Sequence, residues 1–79
     1  MEDYSQHTIE YYFGQYQVSN PDQKAKILLE VTDLIYDRNM HVVKLEKETD
    51  EYRRNQILAG IKELEDKIAE VFREVTAGK

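Results

Sequence analysis

Apolar residues recur along this chain at intervals of three and four, the spacing that places side chains on one face of an α-helix. Near the start, Ile9, Tyr12, Phe13 and Tyr16 follow this spacing. No segment shows the alternating β-branched and aromatic pattern of a strand bounded by turn residues. The pattern therefore predicts an all-α protein whose first helix covers about residues 4–18.

The second helix has the clearest start in the sequence. Asn20 can cap it, and Pro21 suits a first turn, where its missing N–H is not needed. Its end is predicted at Arg38, because a basic side chain favours the negative end of the helix dipole. The next residue, Asn39, tolerates the left-handed backbone that terminates helices. These signals predict a helix over residues 21–38.

The apolar residues of this second helix cover a wide arc. At 100° per residue they extend over about 220°, far more than the stripe of an ordinary amphipathic helix. One side carries Ala25, Leu28, Leu29, Thr32 and Tyr36, and the other carries Ile27, Val31 and Leu34, with Ile35 between them. Such a helix normally packs against two neighbours, so it is predicted to be the central one.

The third predicted helix runs over residues 41–76, where no residue strongly interrupts the helical pattern. Its first half has a narrow apolar seam. Its second half has another, with the 3-4 spacing of a coiled coil, formed by Ile61, Leu64, Ile68, Val71 and Val75. The two seams are about 100° out of phase. The helix is therefore predicted either to contact different neighbours along its length or to break near residues 49–55.

The length of this helix suggests a second chain. A continuous helix of about 36 residues would measure about 54 Å, whereas a compact chain of this size is about 30 Å across. Since two shorter helices cannot cover such a rod, we expect a homodimer with intertwined or antiparallel helices. A break near residue 50 would instead allow a monomeric bundle. The predicted fold is a single domain, 1–79, with three helices in a hairpin or bundle completed by dimerisation.

The charge balance narrows the choice of partners. The chain has a formal net charge of −5 and is 41% hydrophobic, which is too apolar for a disordered tail. A negative chain is repelled by phosphate backbones and anionic lipid, so we expect neither nucleic-acid nor membrane binding. The acidic start, Met1 to Tyr4, lacks the features of a signal peptide, and we expect a cytoplasmic protein.

Few residues suggest chemistry. Ser5 and His7 are two positions apart on a predicted helix, so their side chains diverge. His7 and Glu10 have i, i+3 spacing and could share a metal ion, but the chain supplies no repeated set of core carboxylates to complete a site. The sequence therefore predicts no catalytic, metal or cofactor site. The acidic clusters are interpreted as solvated helix faces.

Aromatic residues are the most suggestive feature. Five of the eight fall within the first sixteen residues, at positions 4, 11, 12, 13 and 16. Tyrosine offers large contact area with few rotamers to immobilise and is enriched in interface hot spots. These rings could equally close the core of the domain, and the sequence leaves both interpretations open.

The predicted function is that of a non-enzymatic protein–protein interaction module acting as a regulator, adaptor or assembly factor. One alternative is a secretion- or assembly-type chaperone that holds an amphipathic client helix. A small helical dimeric enzyme and an acidic mimic of nucleic acid rank behind both. The candidate interface residues are Tyr4, Tyr11, Tyr12, Tyr16, Ile27, Val31, Leu34, Ile61, Leu64, Ile68, Val71 and Val75.

Overall fold

The computed structural model describes residues 5–78, and within them it contains three helices and no strand. They are α1 (Ile9–Gln15), α2 (Pro21–Lys47) and α3 (Glu51–Gly78). α2 and α3 form an antiparallel hairpin, and the short α1 packs against it. The predicted all-α class and the helical hairpin are confirmed. Dimerisation stays a prediction.

α1 is shorter than the predicted helix over residues 4–18, whose first residue lies outside the described part of the chain. It begins after Thr8, whose Oγ1 accepts a hydrogen bond from the backbone N–H of Tyr11 at 3.2 Å. It ends because Gln17 adopts a left-handed conformation, with φ 57°. The backbone N–H of Val18 then donates to the carbonyl of Phe13 at 2.9 Å, which closes the helix end.

α2 begins at Pro21, as the sequence predicts. Asn20 Oδ1 accepts hydrogen bonds from the backbone N–H groups of Asp22 at 2.9 Å and Gln23 at 3.1 Å. These bonds satisfy two of the amides that a helix leaves unpaired at its start. The capping chemistry lies entirely within four consecutive residues, which is why it can be predicted without knowledge of the fold.

The predicted end of α2 at residue 38 is wrong, since the helix continues to Lys47. The two residues that suggested termination have tertiary roles instead. Arg38 is fully buried and pairs with Glu65 on α3. Asn39 bonds through its side chain to both backbone groups of His7, 32 residues away. Asn39 therefore keeps a helical backbone and does not adopt the left-handed conformation that would end the helix.

The helical conformation is interrupted at residues 48–50, between α2 and α3. This position is at the edge of residues 49–55, where the sequence predicts that the helix could break. Arg54 Nη1 donates to the carbonyls of Leu45 at 2.7 Å and Glu48 at 3.1 Å, which satisfies free carbonyls at the end of α2. Asp50 Oδ2 accepts from the backbone N–H of Arg53 at 3.0 Å and caps α3. The predicted single helix over 41–76 is therefore wrong, and the length argument for a second chain no longer applies.

The hairpin contains two apolar clusters separated by the Arg38–Glu65 pair. The cluster under α1 consists of Tyr12, Val18, Ile27, Val31, Ile35, Ile68 and Phe72. The cluster near the turn is smaller and is built on Val42, Leu45 and Ile61. The long dimension of the molecule is 44 Å, and its other extents are 23 and 18 Å. α1 therefore adds a third layer over only part of a two-helix hairpin.

Gly60 marks a close contact between α2 and α3. A Cβ atom at this position would lie 2.9 Å from Cδ2 and Nε2 of His41. That ring is held by a 2.8 Å contact between its Nδ1 and the carbonyl oxygen of Asp37. At Gly14 in α1, in contrast, a Cβ would meet no atom within 4 Å.

We expect opposite effects from alanine at these two glycines. Gly14→Ala should raise the free energy of unfolding by up to about 1 kcal/mol, the difference in helix propensity between the two residues. Gly60→Ala should lower it by about 1 kcal/mol, because the clash outweighs that gain. Urea unfolding measures both. His41→Ala added to Gly60→Ala should restore stability, and equal gains from both glycines would contradict the close contact.

Candidate protein-interaction surface

One face of α2 carries apolar side chains that the described parts of the chain do not cover. Its apolar members are Ala25, Leu28, Leu29, Tyr36 and Met40, and all are exposed. Thr32 lies among them and donates its hydroxyl proton to the carbonyl of Leu28. At 100° and 1.5 Å per residue they fall within about 120° of the helix circumference and extend over about 22 Å. Leu29 is 87% exposed and Tyr36 is 64% exposed. We call this set the α2 stripe.

The α2 stripe accounts for the wide apolar arc of the sequence. The six buried residues of α2 are Ile27, Val31, Ile35, Arg38, Val42 and Leu45. They are centred roughly 130° around the helix from the stripe. α1 and α3 both pack on this part of the arc, so α2 is the central helix that the sequence predicts. No residue within the described range covers the other part of the arc.

Carboxylates border the α2 stripe on the side away from α1. Glu30, Asp33 and Asp37 are exposed and lie within about 60° of one another around the helix. Between Lys26 and Lys44, the only basic side chain with a formal charge on α2 is Arg38, which is buried against Glu65. The solvent-facing charge along this border is therefore negative from Glu30 to Asp37, a length of about two helical turns.

α1 forms the other border. The segment just before α1 is held on α2 by the hydrogen bonds between the His7 backbone and the Asn39 side chain. Near the C-terminal end of α1, Lys24 Nζ lies 5.3 Å from the centre of the Phe13 ring. A shallow groove separates α1 from the start of α2. It is lined by Glu10, Phe13, Gly14, Gln17, Val18, Ser19 and Lys24. The stripe thus lies beside a second helix and is not an isolated convex ridge.

A buried polar network lies on the covered side of the hairpin. Arg38 Nε donates to Glu65 Oε2 at 2.7 Å, and Arg38 Nη1 donates to Asn39 Oδ1 at 3.0 Å and to the carbonyl of Ser5. Tyr12 Oη donates to the same oxygen of Glu65 at 3.1 Å. One carboxylate oxygen therefore receives hydrogen bonds from both α1 and α2, which ties the three helices together.

His7 extends this network to the segment before α1. Its Nδ1 lies 3.2 Å from Tyr12 Oη, and because that hydroxyl donates to Glu65, Nδ1–H acts as the donor to the hydroxyl. The imidazole also stacks on the Tyr11 ring, with 3.9 Å between ring centres. Ser5 and His7 precede α1, so the helical spacing from which the sequence predicted divergent side chains does not apply to them.

The network holds its tyrosine in the neutral form. Burial raises the pKa of the Tyr12 hydroxyl, and the nearby Glu65 carboxylate raises that pKa further. Partial burial likewise raises the pKa of Tyr16. Every buried side-chain nitrogen and oxygen within residues 5–77 has a hydrogen-bond partner. These groups therefore satisfy one another, and the arrangement is that of a structural clamp.

The candidate interface residues that the structure describes fall into three groups by burial. Tyr4 lies outside the described residues. Tyr12, Ile27, Val31, Ile61 and Ile68 are buried, while Leu34, Leu64, Val71 and Val75 are half-buried along the hairpin. Tyr11 and Tyr16 are about 40% exposed, but Tyr11 stacks on His7, and Tyr16 stacks on Phe72 at 4.6 Å. Tyr12 thus helps to close the core, and the interface role of the partly exposed Tyr11 and Tyr16 stays a prediction.

The candidate set omitted the most exposed apolar residues of α2, namely Leu28, Leu29, Tyr36 and Met40. The width of the apolar arc indicated that two sides of this helix are expected to be buried against neighbouring helices. It did not indicate which side the chain itself would cover. That choice depends on where the seven-residue α1 docks, and this docking depends on contacts between residues far apart in sequence.

No protein-family model, curated protein or solved structure matches this chain. Within residues 5–78, no group of three or more histidine, aspartate and glutamate side chains is placed to hold a metal ion. In the same range, no helix combines the length and hydrophobicity required to cross a membrane.

Proposed function

We propose that this protein is a non-enzymatic protein-binding module whose binding surface is the α2 stripe. The observation that carries the proposal is the exposure of Leu29 and Tyr36 on one contiguous apolar face. Single exposed apolar residues are common on soluble proteins, but a contiguous patch marks an interaction surface more often than chance. Covering this face would recover about 25 cal/mol for each Å² of apolar area removed from water.

The polar network supports a binding role over a catalytic one. The chemistry-bearing residues His7, Tyr12, Arg38 and Glu65 bond to one another beneath α1. A catalytic group must instead be able to reach a substrate atom. We therefore expect no enzymatic activity and no bound cofactor, and we keep the cytoplasmic location that the sequence predicts as part of this proposal.

The experiment compares partner capture by the parent chain and by Leu29→Ser/Tyr36→Ser. Because both side chains are mostly exposed, the double variant should retain its helicity and its stability to within about 0.5 kcal/mol. It should lose the protein that the parent chain captures from its native host. Tyr52→Ser is the matched control, since Tyr52 is 69% exposed at the start of α3, outside the stripe. Equal capture by the folded double variant would refute the proposed surface.

The N-terminal tyrosines are poor residues for this test. Tyr16 stacks on Phe72 in the core, and Tyr11 stacks on His7, so alanine at either position would also disturb the docking of α1. Loss of binding in such variants would not separate a contact with a partner from a loss of fold. The α2 stripe provides cleaner variants because its exposed side chains support little of the folded core.

The predicted homodimer remains one form of this proposal. The stripe offers a self-complementary apolar surface, and closed dimers are the commonest assemblies. Chaperoning of an amphipathic client helix is another form, and it requires the same uncovered face. The charges along the border of the stripe decide between these two occupants.

A further inference from the structure

We infer that the occupant of the α2 stripe is an amphipathic helix of another protein, with lysine or arginine along the edge of its apolar face. This inference rests on the proposed function and names the partner of that surface.

The dimensions of the stripe fit a helix. Its apolar side chains follow the axis of α2 for about 22 Å, or four turns, and are spaced at intervals of three and four residues. A partner helix with apolar residues at i, i+3, i+4 and i+7 presents the complementary spacing. α1 lies along one side of the stripe, so a partner helix packed there would also contact the groove beside Phe13 and Gly14.

The carboxylates along the border of the stripe favour a partner with positively charged residues. Glu30, Asp33 and Asp37 are exposed beside the stripe, and no exposed basic side chain lies between Glu30 and Asp37, although Lys26 is one turn before Glu30. A basic residue on the edge of the partner would face these carboxylates, whereas an acidic one would be repelled. The net charge of −5 also favours encounter with a positive partner.

The same border disfavours a second copy. In an antiparallel dimer built on two facing stripes, the two-fold axis places the same edge of each stripe side by side. Asp33 near the middle would then approach its own copy, and Glu30 of one protomer would approach Asp37 of the other. Lys26 lies one turn before Glu30 on the same edge and offsets part of the repulsion between Glu30 and Asp37. No exposed base lies between Glu30 and Asp37, so the repulsion at Asp33 is not relieved.

The test uses two designed helical peptides of about 18 residues, or five turns. Both carry the same leucine face, and they differ only in having lysine or glutamate along its edges. Fluorescence anisotropy at about 0.15 M salt should show that the lysine peptide binds and the glutamate peptide does not. Leu29→Ser/Tyr36→Ser should abolish the binding of the lysine peptide.

A matched pair of charge variants locates the attraction. Asp33→Asn/Asp37→Asn should weaken binding of the lysine peptide by about threefold to tenfold, the effect expected for two surface ion pairs. Glu63→Gln/Glu70→Gln removes the same charge from exposed positions on α3 and should leave the affinity unchanged. Equal weakening by both pairs would mean general attraction to an acidic protein and would overturn the inference.

The failure of this inference can be distinguished from failure of the proposed function. If sedimentation showed a dimer of the parent chain that Leu29→Ser/Tyr36→Ser dissociates, the stripe would bind a second copy. The basic partner would then be wrong while the binding surface remained. If the folded stripe variant kept both its native partner and the lysine peptide, the α2 stripe itself would be wrong.

Discussion

Phe72→Ala is expected to lower the free energy of unfolding by about 3–5 kcal/mol, the usual cost of truncating a buried phenylalanine. Phe72 is 1% exposed, and its ring centre lies 4.6 Å from that of Tyr16 and 6.1 Å from that of Phe13. It is the residue of α3 against which α1 docks. Since a domain of this size is stable by about 4–12 kcal/mol, the loss is a large fraction of the total.

The loss should fall first on α1. α1 has seven residues, too few to form a stable helix without tertiary contacts. Hydrogen exchange of Phe72→Ala should therefore show loss of protection in residues 9–18 before loss in the hairpin. Urea unfolding followed by circular dichroism measures the total effect.

Tyr52→Ala provides the control for aromatic truncation on the same helix. Tyr52 is 69% exposed, and its hydroxyl accepts a hydrogen bond only from Gln56 among the contacts of the described residues. We expect a change within about 0.5 kcal/mol. If Phe72→Ala and Tyr52→Ala had the same effect, the docking of α1 on α3 would be wrong.

The fold class could be predicted from the sequence because helical period and capping are local properties. The start of α2 is encoded within a few residues, from Asn20 to Gln23, and their backbone bonds form in the structure as the sequence predicts. The end of α2 could not be predicted in the same way. Arg38 and Asn39 resemble a helix end locally, and only the contacts to Glu65 and His7 show their actual role.

A signal for the continuous helix was nevertheless present. Ile35, Arg38, Val42 and Leu45 follow 3-4-3 spacing, so the buried seam of α2 passes directly through an arginine. On α3, Glu65 holds the equivalent position in the seam between Ile61 and Ile68. A single charged residue within an apolar seam suggests that the helix ends there. Two of opposite sign in two helices of a hairpin indicate a buried pair, and that comparison fixes how the helices align.

The candidate surface was harder to predict than the fold for a physical reason. Apolar residues on α2 look the same in sequence whether the chain covers them or not. Ile27 and Leu28 are neighbours, yet Ile27 is fully buried and Leu28 is 46% exposed. The difference depends on the position of α1, which is set by the network around Glu65 and by Phe72. Whether an apolar helix face is buried depends on tertiary packing, whereas the amphipathic pattern itself can be read from the local sequence.

Glu65→Gln is expected to lower the free energy of unfolding by about 2–3 kcal/mol. Loss of one partner of a buried ion pair costs about 3–5 kcal/mol, because the other charge stays buried without compensation. Arg38 is fully buried, but Glu65 is 33% exposed, and water near it reduces the cost. Glutamine keeps the size and the acceptor oxygen for Tyr12, so the variant isolates the charge.

Asp66→Asn is the matched control, since it removes the same charge one residue away. Asp66 pairs with Lys62 at 3.4 Å, and both side chains are at least 70% exposed, so its neutralisation should cost at most about 0.5 kcal/mol. Urea unfolding at neutral pH compares the two variants. Arg38→Met/Glu65→Leu should be more stable than the sum of the single changes predicts, because it removes both charges and continues the apolar seam. Equal stability of Glu65→Gln and Asp66→Asn would show that the pair does not fix the hairpin.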